Sequence, residues 1–243
     1  MATNPRTGRF IRPPQETTSA YVTLFDDFLG DTLDTGTWDN VDIQATGGTD
    51  WAYDATAGNP ANSGWASATT GTADNDAQGL YGPLDWMANR ATSEDLLVFE
   101  ARVNLPAITG VGMSAGLTDA RTESATPFQF VTTTWTTVPT DAVVWSYDVD
   151  ATTDLFRGIG VKADTDTAAV SGSLPVADAP VKLRIEVDVA GTAYWYYNDI
   201  GIGAKANAVT ITVPLCPFVD VSCKAGSAAK SGEVDYILTS CPR

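Results

Sequence analysis

The 243-residue sequence contains no histidine. That absence removes histidine-based catalytic triads, histidine general bases and every metal site that needs an imidazole ligand. Cysteine is scarce. Cys216, Cys223 and Cys241 form an odd set near the C-terminus, too few for a disulfide framework and without the partners of a zinc site. They read as free thiols of a chain made in a reducing cytosol, with a Cys216–Cys223 bridge as the alternative. No apolar run approaches the ~20 residues of a membrane span. The start "MATNPRTGRFIRPPQE" carries charge but no apolar centre, so no secretory signal is expected. P-loop, dinucleotide and G-x-S-x-G motifs are also missing, and the many Ser and Thr hydroxyls have no visible base.

Basic residues are few: 14 Lys and Arg stand against 30 Asp and Glu, a formal charge of −16. Arg6, Arg9 and Arg12 all fall in residues 1–15, which hold no acid, so the remainder carries 11 basic and 30 acidic residues, a net −19. Such a body repels DNA phosphates, and nucleic acid is excluded as a partner.

What is present has period two. In "VKLRIEVDV", Val181, Leu183, Ile185, Val187 and Val189 alternate with Lys182, Arg184, Glu186 and Asp188, which predicts a half-buried strand. "LLVFEARVNL" alternates in the same way. Further strands are expected in "YVTLFDDF", "GVGMSAGLTD", "FQFVTTTW", "DAVVWSYDV", "FRGIGVKAD", "AYWYYND", "AVTITVPL", "CPFVDVSC" and "VDYILTS", joined by Asp, Gly, Pro and Thr turns. Residues 40–95 are looser and are expected to hold short strands between long loops. No helix of three turns is visible. About a dozen short strands with regular turn signals indicate an all-β sandwich or jelly roll. Residues 1–20, interrupted by Pro5, Pro13 and Pro14, are expected to form an extended basic arm, with residues 21–243 as one sandwich domain.

Two stretches carry a family resemblance. "LFDDFLGDTLDTGTW" (24–38) resembles the opening strand and turn of concanavalin A-like lectin/glucanase and laminin-G-like sandwiches. "APVKLRIEVDVAGTAYWYYNDIGIG" (179–203) is similar to their late hairpin, with a small turn at Asn198-Asp199. The resemblance implies a concanavalin A-like jelly-roll sandwich and specifies fold better than function. The start of the chain, the Ala/Thr/Asp-rich sandwich and "SAGLTDARTESATPF" also resemble virion proteins of tailed phages, in which a terminal arm lies across a neighbouring subunit.

Sandwich glucanases carry Glu, Asp and Glu at alternating positions of one strand, since only residues two apart share a face. Glu186 and Asp188 fit the first two positions, but Ala190-Gly191 stand where the third carboxylate belongs. The pair therefore reads as the solvent face of a strand, and no catalytic residue is assigned. Asp148, Asp150 and Asp154, with Asp164 and Asp166, suggest calcium weakly, because an EF-hand's Gly and terminal Glu are missing. Solvated turns are the plainer reading, and no cofactor is assigned. In "AYWYY", one alternate pair should face outward. Trp195 and Tyr197 are the weak carbohydrate-binding candidates.

The expected function is a non-enzymatic decoration or cement protein on the capsid surface of a tailed phage, made in the host cytoplasm. Arg6, Arg9, Phe10, Ile11 and Arg12 would bind the shell of major capsid protein, and a homo-oligomer, most simply a trimer, would multiply those contacts. The alternative is a carbohydrate-binding module or adhesin of a head fibre or tail that recognises host glycans. A glycoside hydrolase ranks below both.

Overall fold

The computed structural model describes residues 21–29, 32–44, 47–53, 64–91, 95–121, 125–131, 134–224, 226 and 228–242. Residues 1–20, including Arg6, Arg9, Phe10, Ile11 and Arg12, lie outside the described residues. The described chain forms strands throughout, apart from one 3-10 turn at Ala88–Arg90.

The first half contributes β1 (Tyr21–Asp26), β2 (Asp39–Ile43), β3 (Thr49–Tyr53), β4 (Ala66–Thr69), β5 (Ala77–Tyr81), β6 (Leu97–Asn104), β7 (Val111–Thr118), β8 (Phe128–Val131) and β9 (Thr134–Thr137). The second half contributes β10 (Asp141–Asp148), β11 (Arg157–Lys162), β12 (Thr165–Asp166), β13 (Val170–Ser171), β14 (Val181–Val187), β15 (Ala193–Tyr197), β16 (Ile200–Lys205), β17 (Cys216–Cys223) and β18 (Ser231–Pro242).

These strands form two large antiparallel sheets. Sheet A runs β16-β15-β14-β6-β18-β4-β3, with β1 also paired to β18. The length of β18 allows this: its start pairs with β4 and its end with β1. Sheet B runs β12-β11-β10-β7-β17-β5-β2, with β13 on β11. The centre of each sheet pairs strands distant in sequence, β14-β6-β18-β4 and β10-β7-β17-β5, as in a jelly roll, while consecutive strands such as β14-β15-β16 and β10-β11-β12 extend the edges. β8 and β9 form a separate two-stranded sheet.

The main core lies between the large sheets. Leu97, Phe99, Leu183, Ile185, Trp195 and Ile237 of sheet A meet Val111, Met113, Val143, Trp145, Val219 and Val221 of sheet B. A second apolar cluster lies on the opposite face of sheet B, where Val41, Ile43, Tyr81, Val144, Ile159, Val161 and Phe218 pack against Phe128 and Trp135 of the small sheet. Sheet B is thus buried on both faces, and β7, β10 and β17 are buried along their whole lengths. Strands of this kind lose the clean alternation that marks a one-sided sheet.

The expected turn at Asn198-Asp199 is present, and both residues have positive φ (49° and 66°) as a tight hairpin demands. Two strand expectations are corrected. "FQFVTTTW" is the pair β8 and β9 rather than one strand. "AVTITVPL" is a turn-rich connection, in which Thr210 N–H is taken by Asp141 Oδ1 at 2.6 Å. Cys216 and Cys223 are free and buried at opposite ends of β17, roughly 23 Å apart along a strand of this length. That span rules out the alternative bridge.

Candidate functional site

The carboxylates that prompted a catalytic reading sit on sheet A. Glu186 accepts a hydrogen bond from Tyr196 Oη (2.9 Å) and pairs with Arg184. Asp188 accepts from the backbone N–H groups of Ala190 (2.9 Å) and Thr192 (2.8 Å), closing the turn between β14 and β15. Both side chains are occupied by local structure, and no further acid joins them on this strand.

The aromatic candidates need correction. Trp195 is fully buried between the sheets. Its indole N–H donates to Val144 O at 3.0 Å, and a Cβ on Gly158 would lie only 2.6 Å from its ring. Tyr197 is also buried, against Trp145 and Phe156. Neither can stack on a sugar. The outward pair of β15 is Tyr194 and Tyr196. The period-two pattern fixed that the pair would split but did not say which half would face the core.

A different constellation emerges on the outer face of sheet B. Register places Arg157 of β11 opposite Ser146 of β10, Ser146 opposite Ser114 of β7, and Ser114 opposite Asp220 of β17. One polar row thus crosses four strands, about 14 Å from Arg157 to Asp220 at ~4.8 Å per strand. The hydroxyls of Ser114 and Ser146 lie 3.1 Å apart, and Ser114 N–H donates to Asp220 Oδ1 at 2.9 Å. One step along the strands, Asp148 pairs with Lys224 at 3.0 Å, and both side chains are only 1% exposed. Lys224 also donates to Asn75 Oδ1 at 3.0 Å.

Asp220 is the unusual member. Its Oδ2 is buried and, like Tyr81 Oη, has no hydrogen-bond partner among the described residues. Burial raises the Asp220 carboxyl to about 7, against the opposing pull of Ser114 N–H and Lys224. A charge count explains the direction. Two carboxylates share one ammonium in a dry site, so the cluster is neutral only when one carboxyl keeps its proton. Burial and neighbouring Asp148 raise the partly buried Asp150 as well.

The small sheet packs beside this cluster, with Phe128 stacked on Phe218 of β17. Phe130 N–H of β8 donates to Asp148 Oδ2 at 2.9 Å, tying the small sheet to sheet B. Beside this tie lies an open groove of about 700 Å³, walled by Phe130, Trp135, Thr152, Arg157, Asp166 and Thr167. Phe130 and Trp135 meet edge to face at 5.4 Å. Asp166 Oδ1 is taken by Thr137 Oγ1 at 2.7 Å. A partly exposed tryptophan beside hydroxyls and one residue of each charge can stack on a sugar face and hydrogen-bond its rim. Among the described residues, no group of three or more Cys, Asp or Glu converges as a metal site, and Asp148 of the calcium candidates is committed to Lys224.

The sequence reading missed these residues because it sought acids on an exposed strand. A usable signal was present: "VVWSYD" and "FVDVSC" place Ser or Asp at alternate positions of otherwise apolar strands.

No family model matches the sequence, and no curated protein matches it. Solved structures do match the fold. A Bacillus licheniformis β-glucanase aligns with TM-score 0.59 at 11% identity, over 89% of this chain and 97% of its own. The κ-carrageenase of Pseudoalteromonas carrageenovora aligns with TM-score 0.54 at 15% identity, over 96% and 100%. The carbohydrate recognition domain of Emp47p aligns with TM-score 0.56 at 12% identity, over 90% and 94%.

These matches correct two expectations. The neighbours are carbohydrate-active enzymes and a carbohydrate recognition domain, which overturns the reading as a phage capsid-decoration protein. The reading as a non-enzyme falls with it. The only carboxylate pair that reading weighed for catalysis was Glu186 and Asp188 of sheet A and its following turn, whereas the buried acids Asp148 and Asp220 belong to sheet B. Two stacked antiparallel sheets with this connectivity, matched over nine-tenths of the chain, make the protein a concanavalin A-like jelly-roll sandwich.

Proposed function

We propose that this protein acts on carbohydrate chains through the outer face of sheet B, holding a saccharide in the groove beside the small sheet. The observation that carries this reading is the groove itself. It sets Trp135 and Phe130 against hydroxyl and charged side chains, at one end of the polar row that crosses the sheet. The neighbours' names, a β-glucanase and a carbohydrate recognition domain among them, support the same direction. Stacking of a nucleic-acid base on an aromatic side chain contributes roughly 1–3 kcal/mol; taking the same order for a sugar face, Trp135→Ala should weaken saccharide binding by about fivefold or more. Calorimetric titration of a polysaccharide panel against wild type and variant tests this. Binding that survives Trp135→Ala unchanged rules out the groove.

A second reading, cleavage of the bound chain, rests on Asp220. A carboxyl raised to about 7 still holds its proton on a substantial fraction of molecules at neutral pH and is suited to act as a general acid, while Asp148 stands paired with Lys224 on the same face. Both acids are buried and Asp148 is tied to Phe130 of the small sheet, so cleavage requires the site to open. Release of new reducing ends by wild type, abolished in Asp220→Asn with binding retained, supports this reading. Cleavage unaffected by Asp220→Asn excludes Asp220 as the acid.

A further inference from the structure

The groove contains one cation whose charge the protein leaves unmatched. Arg157 stands on the outer face of β11, where its strand meets the groove. One terminal nitrogen lies 3.4 Å from Ser171 Oγ and the other 3.1 Å from Thr153 O. Both partners are neutral. Its Nε is buried without a hydrogen-bond partner, and no carboxylate among the described residues pairs with it. Asp166, the acid on the opposite wall, is held by Thr137 instead. Among the described residues Lys162 is likewise met by a neutral group, Asn207 Oδ1 at 3.2 Å, but Arg157 is the cation that lines the groove. Elsewhere Arg102, Arg121, Arg184, Lys182 and Lys224 each have an acidic partner.

Resting on the carbohydrate reading above, we infer that the groove selects acidic saccharides, with Arg157 receiving a carboxylate or sulfate of the chain while Trp135 stacks on a sugar ring. A guanidinium presents its donors in a planar fork that matches a carboxylate or sulfate edge, and such charge-assisted bonds are about twice as strong as neutral ones. The negative charge of the body does not forbid this. At physiological ionic strength, exposed charges beyond about 8 Å are largely screened, so the nearest unpaired cation dominates. A neutral chain would leave the charge of Arg157 uncompensated as it displaced water from the groove.

The test uses hexasaccharides matched in pairs: oligogalacturonate with oligogalactose, oligoglucuronate with oligoglucose, and sulfated with unsulfated galactan. Each is titrated against wild type, Arg157→Gln, Arg157→Lys and Trp135→Ala. The expected result is that wild type binds the acidic member of at least one pair about tenfold or more tightly, since one charged hydrogen bond contributes roughly 1.5–3 kcal/mol. Arg157→Gln should erase that preference, Arg157→Lys should restore part of it, and added salt should diminish it. Trp135→Ala should weaken both members. Neutral chains that bind as well as acidic ones and depend on Trp135 overturn the acid preference and leave the groove intact. So does a preference that survives Arg157→Gln. Failure of every pair to bind overturns the groove and the inference together.

Discussion

The outer faces of the two sheets use charge in opposite ways. Sheet A carries Lys182, Arg184, Glu186 and Glu100 on its outer face, with the cations partly exposed and the glutamates largely covered by them, in a ladder of pairs such as Arg184–Glu186 and Arg184–Glu100 (3.6 Å). The guanidinium of Arg184 lies over the Tyr196 ring at 5.9 Å. Sheet B hides its charges. Asp148, Lys224 and Asp220 are buried beside Ser114 and Ser146, and Asp148 is tied to Phe130 of the small sheet. The ladder of sheet A is compatible with any function, because each of its charges has an opposite charge beside it and the cations reach water. A buried and incompletely satisfied cluster is destabilising on its own and calls for a reason.

The sharpest way to break this contrast is to remove the cation on each face. Lys224→Met should leave Asp148 buried without a counter-charge and destabilise the fold by about 3–5 kcal/mol, whereas Arg184→Met should cost about 1 kcal/mol or less. At this chain length the first corresponds to a fall of roughly 10 °C in Tm, readable by calorimetry. Equal shifts for the two variants would contradict the distinction.

The next largest effect is in pH. The Asp220 carboxyl is raised from 3.8 to about 7 in the folded state. The native protein therefore holds a proton that the unfolded chain has released across that window. The associated stability is present at low pH and is lost as pH rises toward 7. Between pH 5 and 8 the loss should be of order 3 kcal/mol, and Asp220→Asn should flatten it. Denaturant titrations of both proteins at several pH values measure the difference. Parallel pH profiles would remove Asp220 as its source.

A smaller effect should follow loosening of the small sheet. Phe130 N–H is tied to Asp148, so Asp148→Asn, which keeps the shape, removes the charge and leaves Asp220 to ionise against Lys224, should expose the small sheet without unfolding the sandwich. Protease nicking confined to residues 125–140 should rise several-fold while near-ultraviolet dichroism of the core stays close to wild type. On sheet A, Glu186→Gln should change stability by about 0.5 kcal/mol or less.

The same contrast explains what was legible in the sequence. Strands of sheet A are buried on one face, so "VKLRIEVDV" displayed its inward and outward residues directly. The sandwich, its late hairpin and the Asn198-Asp199 turn followed from that pattern. Strands of sheet B are buried on both faces. "DAVVWSYD" and "CPFVDVSC" therefore read as uniform core, and their buried Asp148 and Asp220 were not separated from the many solvated aspartates. The site also depends on register between β11, β10, β7 and β17, which spans residues 114 to 220 and is invisible to any local window. Trp195 was assigned outward because alternation alone does not tell which side of an edge hairpin meets the second sheet.

The most direct test of the claim that sheet B carries the function is backbone amide shift mapping with a saccharide that the panel shows to bind. The account predicts perturbations concentrated at Phe130, Trp135, Arg157 and Thr167, fading along the row toward Ser114. Perturbations centred on Tyr194, Tyr196 and Arg184 of sheet A, with the groove unchanged, would contradict it.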